Sequence, residues 1–393
     1  MKLPLGYRFA ATYAGIRKNS SNEDLGLIVS DTPASAAAVF TRNRVQAAPV
    51  KIAKQHIRAS RGRVSAILVN AGNANCATRN GEDTAMKCCK ALAKKMNVPV
   101  AQVIPASTGV IGVELDPDLI VNALPRLFDD LHDTRFPDVS HAIMTTDTQP
   151  KVAFAEVPLK GGEVQIAGMT KGSGMIHPNM ATTLGFVMTD AAISPIHLRD
   201  MLMQAVERSY NRLSVDGDTS TNDIVVLLAN GASGIKPSER ERRTMQESLT
   251  LVMEDLAMQI AKDGEGATKL ITIRVVGAAD DDNAVKIARS IANSPLVKTA
   301  IGGTDPNWGR ILSAIGNAGV EIDPAQVDVY IQGVLVCSGG VAADYDEVAV
   351  KHKLADHEIL IRVEIKGGGA GETRFWTCDL TDGYIRINGS YRT

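Results

Sequence analysis

Short apolar runs recur along the chain at strand length. They are rich in β-branched residues and close on Asn or Gly, which is typical of buried strands. The clearest of these runs cover residues 64–70, 223–230 and 269–277. These three runs are therefore predicted to be buried strands.

Helical periodicity fills the intervals between these runs. Apolar positions at helical spacing predict helices at 84–96, 195 to about 211, 239–262 and 283–294. Ser194 is a predicted N-cap, and Pro195 suits the first turn of the helix that follows it. The alternation of strands and helices predicts an α/β fold.

Glycine-rich stretches interrupt the pattern. Residues 160–181 contain no good helix and predict a long loop, which runs into a predicted strand at 182–191. Residues 302–310 and 366–372 predict shorter loops of the same kind. A loop as long as 160–181 inside a compact domain is usually functional or disordered, so this loop is a candidate region for an active site.

Composition narrows the class of protein. The 393 residues are 45% hydrophobic and 22% charged, which suits a globular protein with two domain-sized cores. A net charge of -2 gives no reason to expect a nucleic acid or an anionic membrane as partner. The five cysteines form no CxxC pair, and no apolar stretch approaches the roughly 20 residues of a membrane span. A cytoplasmic protein with small polar ligands is expected.

Several common site signatures do not occur. The chain has no GxxxxGK[ST] loop, no GxSxG elbow and no HExxH helix, and its seven histidines are scattered. Thr182 is a different kind of candidate nucleophile, because it follows Ala181 at the end of the glycine-rich loop. A threonine hydroxyl there can attack the preceding carbonyl, and the new α-amine can serve as its base. Spacing alone favours the other interpretation, an ordinary strand threonine after a loop.

The segment KGSGMIHPNMATTL (171–184) resembles the processing site of the ornithine acetyltransferase family, the glutamate N-acetyltransferases of arginine biosynthesis. Thr183 stands where that family commonly has methionine. Further segments resemble the family in the same order: GYRFAATYAGIR, TRNRVQAAPV, VNAGNANCATRNGEDT, PASTGVIG, TTDTQPK, SVDGDTSTND, DGEGATK, GGTDPNWGR and YIRINGSYRT. The resemblance therefore extends over essentially the whole chain.

The resemblance implies an α/β fold of the ornithine acetyltransferase/aminopeptidase-like kind, with sheets enclosed by helices. It also implies an enzyme that cuts itself between Ala181 and Thr182. The products would be an α-chain of residues 1–181 and a β-chain of residues 182–393, associated as a heterotetramer with two copies of each. The implied reaction is ping-pong acetyl transfer from N-acetyl-L-ornithine to L-glutamate through acetyl-Thr182. No cofactor or metal is implied. Whether acetyl-CoA is a second acetyl donor stays open.

The resemblance also implies roles for individual residues. Thr108 and Gly109 would form the oxyanion hole, where the segment alone predicts a plain turn. Substrate would be bound by Thr182 and by one of Thr145 and Thr146, together with Lys171, Glu265, Asn388 and Thr393. Without the resemblance, an isolated loop lysine or glutamate is usually solvated, and a chain end is usually frayed.

Two other functions are compatible with these residues. One is a related self-processing aminopeptidase or amidohydrolase with an amino-terminal nucleophile. The other is a module that binds amino acids without catalysis. Glutamate-dependent release of ornithine distinguishes transfer from hydrolysis, and an uncut chain on a denaturing gel would favour simple binding.

Overall fold

The chain forms two mixed β-sheets flanked by helices, in a computed structural model that describes residues 2–18, 21–177 and 183–389. The helices of the described residues are α1 (Ala48–Ala59), α2 (Gly81–Met96), α3 (Pro117–Asp129), α4 (Phe136–Ala142), α5 (Pro195–Arg208), α6 (Glu239–Lys262), α7 (Asp281–Ala292), α8 (Pro295–Gly302), α9 (Trp308–Gly316), α10 (Glu347–Lys353) and α11 (Asp382–Asn388). The prediction of an α/β fold with sheets enclosed by helices is confirmed.

The first sheet has eight strands. They are β1 (Tyr7–Thr12), β2 (Leu25–Phe40), β3 (Arg63–Asn73), β4 (Val103–Val110), β5 (Lys151–Leu159), β6 (Gly162–Lys171), β7 (Leu184–Thr189) and β8 (Ile224–Ala229). Alternate residues of β8 belong to different cores: Val225 packs with α5 and α6, whereas Val226 packs with β3 and α4. Helices therefore cover both faces of this sheet, which explains its continuous apolar runs.

The strand order of the first sheet is not the chain order. It reads β4-β3-β2-β8-β7-β6-β5, with β1 added alongside β2. Strands β7 and β8 are parallel to each other and lie between β2 and β6, both of which they meet in antiparallel pairs. Both strands from beyond residue 182 are thus enclosed by strands from before it.

The second sheet has six strands, in the order β12-β11-β10-β13-β9-β14. They are β9 (Leu270–Ala278), β10 (Val327–Ile331), β11 (Val334–Ser338), β12 (Val341–Ala342), β13 (Glu358–Ile365) and β14 (Gly371–Cys378). Ile271 and Ile273 pack in a core with α7, α8 and α9. Arg274, the next residue of β9, is exposed. Trp376 of β14 joins the core of the first sheet, so the two sheets are packed together.

The predicted elements agree with the structure except at the predicted turn of Thr108 and Gly109, which lies in β4, and in one longer stretch. The strands and helices predicted above are present within a few residues, and Ser194 caps α5 by accepting a hydrogen bond from the amide of His197. The prediction of a continuous loop over 160–181 is wrong for residues 162–171, which form β6 in a hairpin with β5. Val164 and Ile166 are buried there, so packing against the core outweighs the low strand propensity of the neighbouring glycines.

Within the described residues, no helix is both long enough and apolar enough to cross a membrane.

Candidate active site

One cavity of about 230 Å³ lies where the two sheets meet. Its lining combines strand ends of the first sheet, the segment before β8, the loop after α6, and α11. The lining residues are Thr108, Gly109, Ile111, Thr145, Thr146, Lys171, Gly174, Met175, Asp216, Asp218, Ser220, Thr221, Asn222, Glu265, Tyr384 and Asn388. Seven residues singled out from the sequence therefore line one cavity, although up to 280 positions separate them along the chain.

Thr108 and Gly109 lie at the carboxyl end of β4, not in the tight turn that the sequence predicts. They face an irregularity in the ladder with β3, at Gly72 and Asn73. Gly109 has φ +127°, and a Cβ atom there would overlap the backbone of Gly72. Only glycine fits this left-handed, close-packed position, which explains the glycine and places its peptide at the cavity wall.

Lys171 is the last residue of β6 and is half-buried, so it is not the solvated loop lysine expected without the resemblance. Its Nζ lies 3.3 Å from Oγ1 of Thr108, to which it donates. Burial lowers the pKa of Lys171, and the carboxylate of Asp147 opposes that shift. The structure thus joins the lysine to the candidate oxyanion site.

Asp147 lies behind the cavity and is fully buried. Its Oδ1 accepts from the amide of Gly172 at 2.7 Å, and its Oδ2 accepts from the amide of Thr145 at 2.9 Å. Burial raises the pKa of Asp147, but the ammonium groups of Lys171 and Lys151 outweigh it and hold the value at about 2. Asp147 is therefore an anion that fixes two segments of the cavity.

Glu265 and Asn388 meet across the cavity. The Asn388 amide donates to Oε2 of Glu265 at 2.8 Å, and the Glu265 backbone amide donates to the carbonyl of Ser173. A Cβ atom on Gly174 would overlap the Glu265 carboxylate, so glycine is needed for this close approach. Asn388 closes α11, which is a formed helix and not a frayed end.

Thr145 and Thr146 both line the cavity. The hydroxyl of Thr146 lies 2.7 Å from that of Ser173 and shares a hydrogen bond with it. Both threonines are therefore placed to contact a molecule in the cavity.

Sequence reasoning missed Asp216 and Tyr384. Asp216 accepts from the amides of Met175 at 2.6 Å and Ile176 at 3.0 Å, and the Tyr384 hydroxyl donates to it at 3.3 Å. Burial raises the pKa of Asp216, and these backbone hydrogen bonds oppose the rise. Its segment, 214–223, enters the sequence analysis only as a family-like run, although the acid inside it was the available signal.

The predicted nucleophile Thr182, the predicted cleavage partner Ala181, and Thr393 lie outside the described residues. On the carboxyl side of Ala181 and Thr182, Leu184 pairs with Lys171 in the β6–β7 ladder; on the amino side, the amide of Ile176 donates to Asp216. Thr183 lies beside β8, where its carbonyl accepts from the amide of Ile224 at 2.9 Å. Both flanks of residues 178–182 thus lie next to cavity residues.

The sequence matches the model of the ArgJ family over residues 8–393. It is 44% identical to the "Arginine biosynthesis bifunctional protein ArgJ" of Nitratidesulfovibrio vulgaris over 394 residues, covering 99% of each chain. It is 41% identical to the protein of the same description from Thermotoga neapolitana, covering 100% of both.

Solved structures give the same similarity. An arginine biosynthesis bifunctional protein ArgJ from Bacillus halodurans matches with 41% identity and a TM-score of 0.51, over 52% of this chain and 98% of that one. An ornithine acetyltransferase from Mycobacterium tuberculosis, solved with ornithine, matches with 34% identity and a TM-score of 0.40, over 45% of this chain and 94% of that one.

Proposed function

This chain belongs to the ArgJ family and is an acyltransferase of arginine biosynthesis, and from that premise we propose that it moves an acetyl group from N-acetyl-L-ornithine to L-glutamate. The observation that carries the proposal is the convergence of Thr108, Lys171 and Glu265 on one cavity. A relative named ornithine acetyltransferase supports the choice of ornithine. Family membership favours transfer over the hydrolase alternative and over simple binding.

The proposed first event is self-cleavage. The hydroxyl of Thr182 attacks the carbonyl of Ala181, the peptide C–N bond breaks, and an ester links the two residues. Water then hydrolyses that ester, which leaves residues 1–181 with a free carboxylate and Thr182 with a free α-amine. Two features support this step: the placement of both flanks beside the cavity, and a solved relative that matches only about half of this chain while being covered almost fully.

The first half of acetyl transfer follows from the new terminus. The α-amine of Thr182 takes the hydroxyl proton, and the oxygen attacks the acetyl carbon of N-acetylornithine. Negative charge develops on the acetyl oxygen, where the amides of Thr108 and Gly109 are the proposed donors. The C–N bond then breaks, the nitrogen of ornithine takes the proton, and ornithine leaves an acetyl ester on Thr182.

The second half reverses these steps with glutamate. Its amine attacks the ester carbonyl, the C–O bond breaks, and the proton returns to the Thr182 oxygen, giving N-acetylglutamate. We assign Glu265 to the substrate ammonium and Lys171 to a carboxylate or carbonyl, because these are the charges that each side chain pairs with. Asn388, Thr393 and one of Thr145 and Thr146 complete the proposed contacts.

The proposed transfer needs no cofactor, because the acetyl group stays covalently bound throughout. The relatives are described as bifunctional, and we propose acetyl-CoA as an alternative acetyl donor to the same threonine. The test is acetylation of glutamate by acetyl-CoA in the absence of acetylornithine.

We propose that the two product chains assemble as a heterotetramer with two copies of each, in the cytoplasm. The five cysteines are free thiols buried in the fold, which agrees with a reducing compartment. Native mass spectrometry of the purified protein tests the stoichiometry.

Ornithine release with and without glutamate tests the proposed reaction. Transfer requires glutamate for turnover and gives parallel lines in double-reciprocal plots. Release at equal rates without glutamate would identify a hydrolase, and intersecting lines would rule out the acetyl-threonine intermediate. Intact mass spectrometry of the same sample shows whether the chain is cut between Ala181 and Thr182.

A further inference from the structure

A fully buried lysine lies behind the cavity and lines none of it. Lys151, the first residue of β5, is 0% exposed. Its Nζ lies 2.7 Å from Oδ1 of Asp147 and 2.5 Å from Oδ2 of Asp263, whose side chains are 0% and 3% exposed. Burying three charges costs more than a well-packed apolar cluster of similar size, so a cluster of this kind calls for a reason other than stability.

Each carboxylate of the cluster is fastened to a different part of the cavity. Asp147 accepts from the amides of Thr145 and Gly172. Asp263 follows the end of α6 and accepts from the amide and the hydroxyl of Thr148. Three segments, residues 145–148, 171–172 and 263–265, therefore meet at Lys151, and we call them the three cavity segments.

These segments carry most of the proposed substrate contacts. The first carries Thr145 and Thr146, the second Lys171, and the third Glu265. They come from parts of the chain that are otherwise far apart, and Lys151 bridges the two carboxylates that hold them. A shift of about 1 Å in such groups is enough to lower a rate about 10²-fold.

We propose that Lys151, held between Asp147 and Asp263, is a positioning residue that fixes the three cavity segments for acetyl transfer. The inference rests on the function proposed above and deepens it. Lys151 does not touch substrate; it acts through Lys171 and Glu265. Without its ammonium, two buried carboxylates would repel each other, and Asp147 would be left with Lys171 as its neighbouring cation.

This arrangement predicts effects of opposite sign on Lys171. The charged groups around Lys171 are Asp147, Lys151, Asp223 and Glu265. Lys151→Met removes a repelling cation, so the pKa of Lys171 rises and the alkaline limb of the kcat/KM profile moves to higher pH. Asp147→Asn removes an attracting anion, so the same limb moves to lower pH. A loss of packing alone has no reason to move the limb in two directions.

The experiment measures KM and the pH profile of acetyl transfer in the full, processed protein. Lys171→Arg identifies the limb, because a guanidinium stays charged and removes it from the accessible range. Lys298→Met is the matched control: Lys298 is also buried, but its Nζ donates to the neutral Thr377 hydroxyl and Cys378 carbonyl. The control should lower the melting temperature without moving the limb.

We expect a several-fold rise in KM in Lys151→Met and limb shifts of opposite sign in Lys151→Met and Asp147→Asn. The proposal would be overturned if the alkaline limb did not move, if it moved in the same direction in both variants, or if it persisted in Lys171→Arg. If Lys151→Met does not fold, Lys151→Gln replaces it: the amide can still donate to the neighbouring carboxylates but carries no charge, so the limb should again move to higher pH. A wild-type protein that transfers no acetyl group would refute the proposed function itself, whatever the variants do.

Discussion

The cavity has two walls of different construction. The first wall, Thr108, Gly109 and Lys171, is built on the ends of β4 and β6 in the sheet that is covered on both faces. The second wall, Glu265, Tyr384 and Asn388, is built on a loop and on the seven-residue helix α11. Backbone geometry defines the first wall, whereas contacts between side chains define the second.

The difference separates two tasks of an acyltransferase. Stabilising a developing charge requires donors that do not move during the reaction, and the proposed oxyanion donors suit this task because they lie at a strand end in a packed sheet. Binding a donor and then a different acceptor requires side chains that can exchange partners, and the proposed substrate contacts Glu265 and Asn388 are joined by one hydrogen bond between their side chains. Changes in the first wall should therefore lower kcat, and changes in the second should raise KM.

The largest effect is expected at Thr182, the proposed nucleophile. Thr182→Ala should leave one uncut chain of 41.8 kDa without transferase activity, because both proposed steps use the hydroxyl. A denaturing gel and an activity assay check this. Thr182→Ser keeps a hydroxyl and should retain cleavage and reduced activity. Thr183→Ala is the control and should be cleaved at the same bond. Normal processing of Thr182→Ala would refute the proposal that Thr182 is the nucleophile.

The second-largest loss of activity is expected for Gly109→Ala. The added methyl group would overlap the backbone of Gly72 and displace the peptide that is proposed to face the oxyanion. Removing one oxyanion donor typically costs about 10²–10³ in kcat. Steady-state kinetics on folded protein check the value. Gly112→Ala is a suitable control, since Gly112 also has a positive φ (+79°) but open space around its Cβ position, and it should lose much less activity.

Glu265→Ala should raise KM while leaving self-cleavage intact. A hydrogen bond to a charged group contributes about 1.5–3 kcal/mol, which corresponds to roughly a 10- to 150-fold change. KM for acetylornithine and glutamate, together with a denaturing gel, gives both readouts. Glu358→Ala removes an acid that lies in an exposed ion pair with Lys262 and serves as the control. Unchanged kinetics in Glu265→Ala would remove Glu265 from the site.

Asn388→Ala should have the smallest effect. It removes one hydrogen bond to Glu265 but leaves the carboxylate in place, so a rise in KM of about 2- to 10-fold is expected from a loss near 0.5–1.5 kcal/mol. The measurement is KM for each substrate at one pH. A larger effect than that of Glu265→Ala would reverse the assigned roles, since Asn388 would then bind substrate directly.

Local patterns predicted most of the fold. Buried strands such as β3 and β8 carry their signal in a few consecutive apolar residues, and α5 carries its own cap at Ser194. The exception is β6, because its burial depends on partners β5 and β7 that lie outside the sequence window. Strand order also could not be predicted, since no local pattern places β8 beside β2.

The site was predicted in part for a similar reason. Residues within family-like segments, such as Thr108 and Glu265, could be named from those segments. Asp216 and Tyr384 form a hydrogen bond although 168 positions separate them along the chain. A contact between residues so far apart has no signature in one sequence. Lys151 lay within a singled-out segment, but its burial between two carboxylates becomes visible only after folding.

The position of β7 and β8 between β2 and β6 has a consequence for the order of folding and the proposed cut. If the chain is cut between Ala181 and Thr182 as proposed, β8 stays hydrogen-bonded to the other product through β2, and β7 through β6. Neither half could then complete the sheet alone, so we expect folding to precede cutting and the two halves to stay together afterwards. If the two halves were made as separate polypeptides, each would expose open strand edges and tend to aggregate. A single precursor avoids this, because all strands of the sheet fold as parts of one chain.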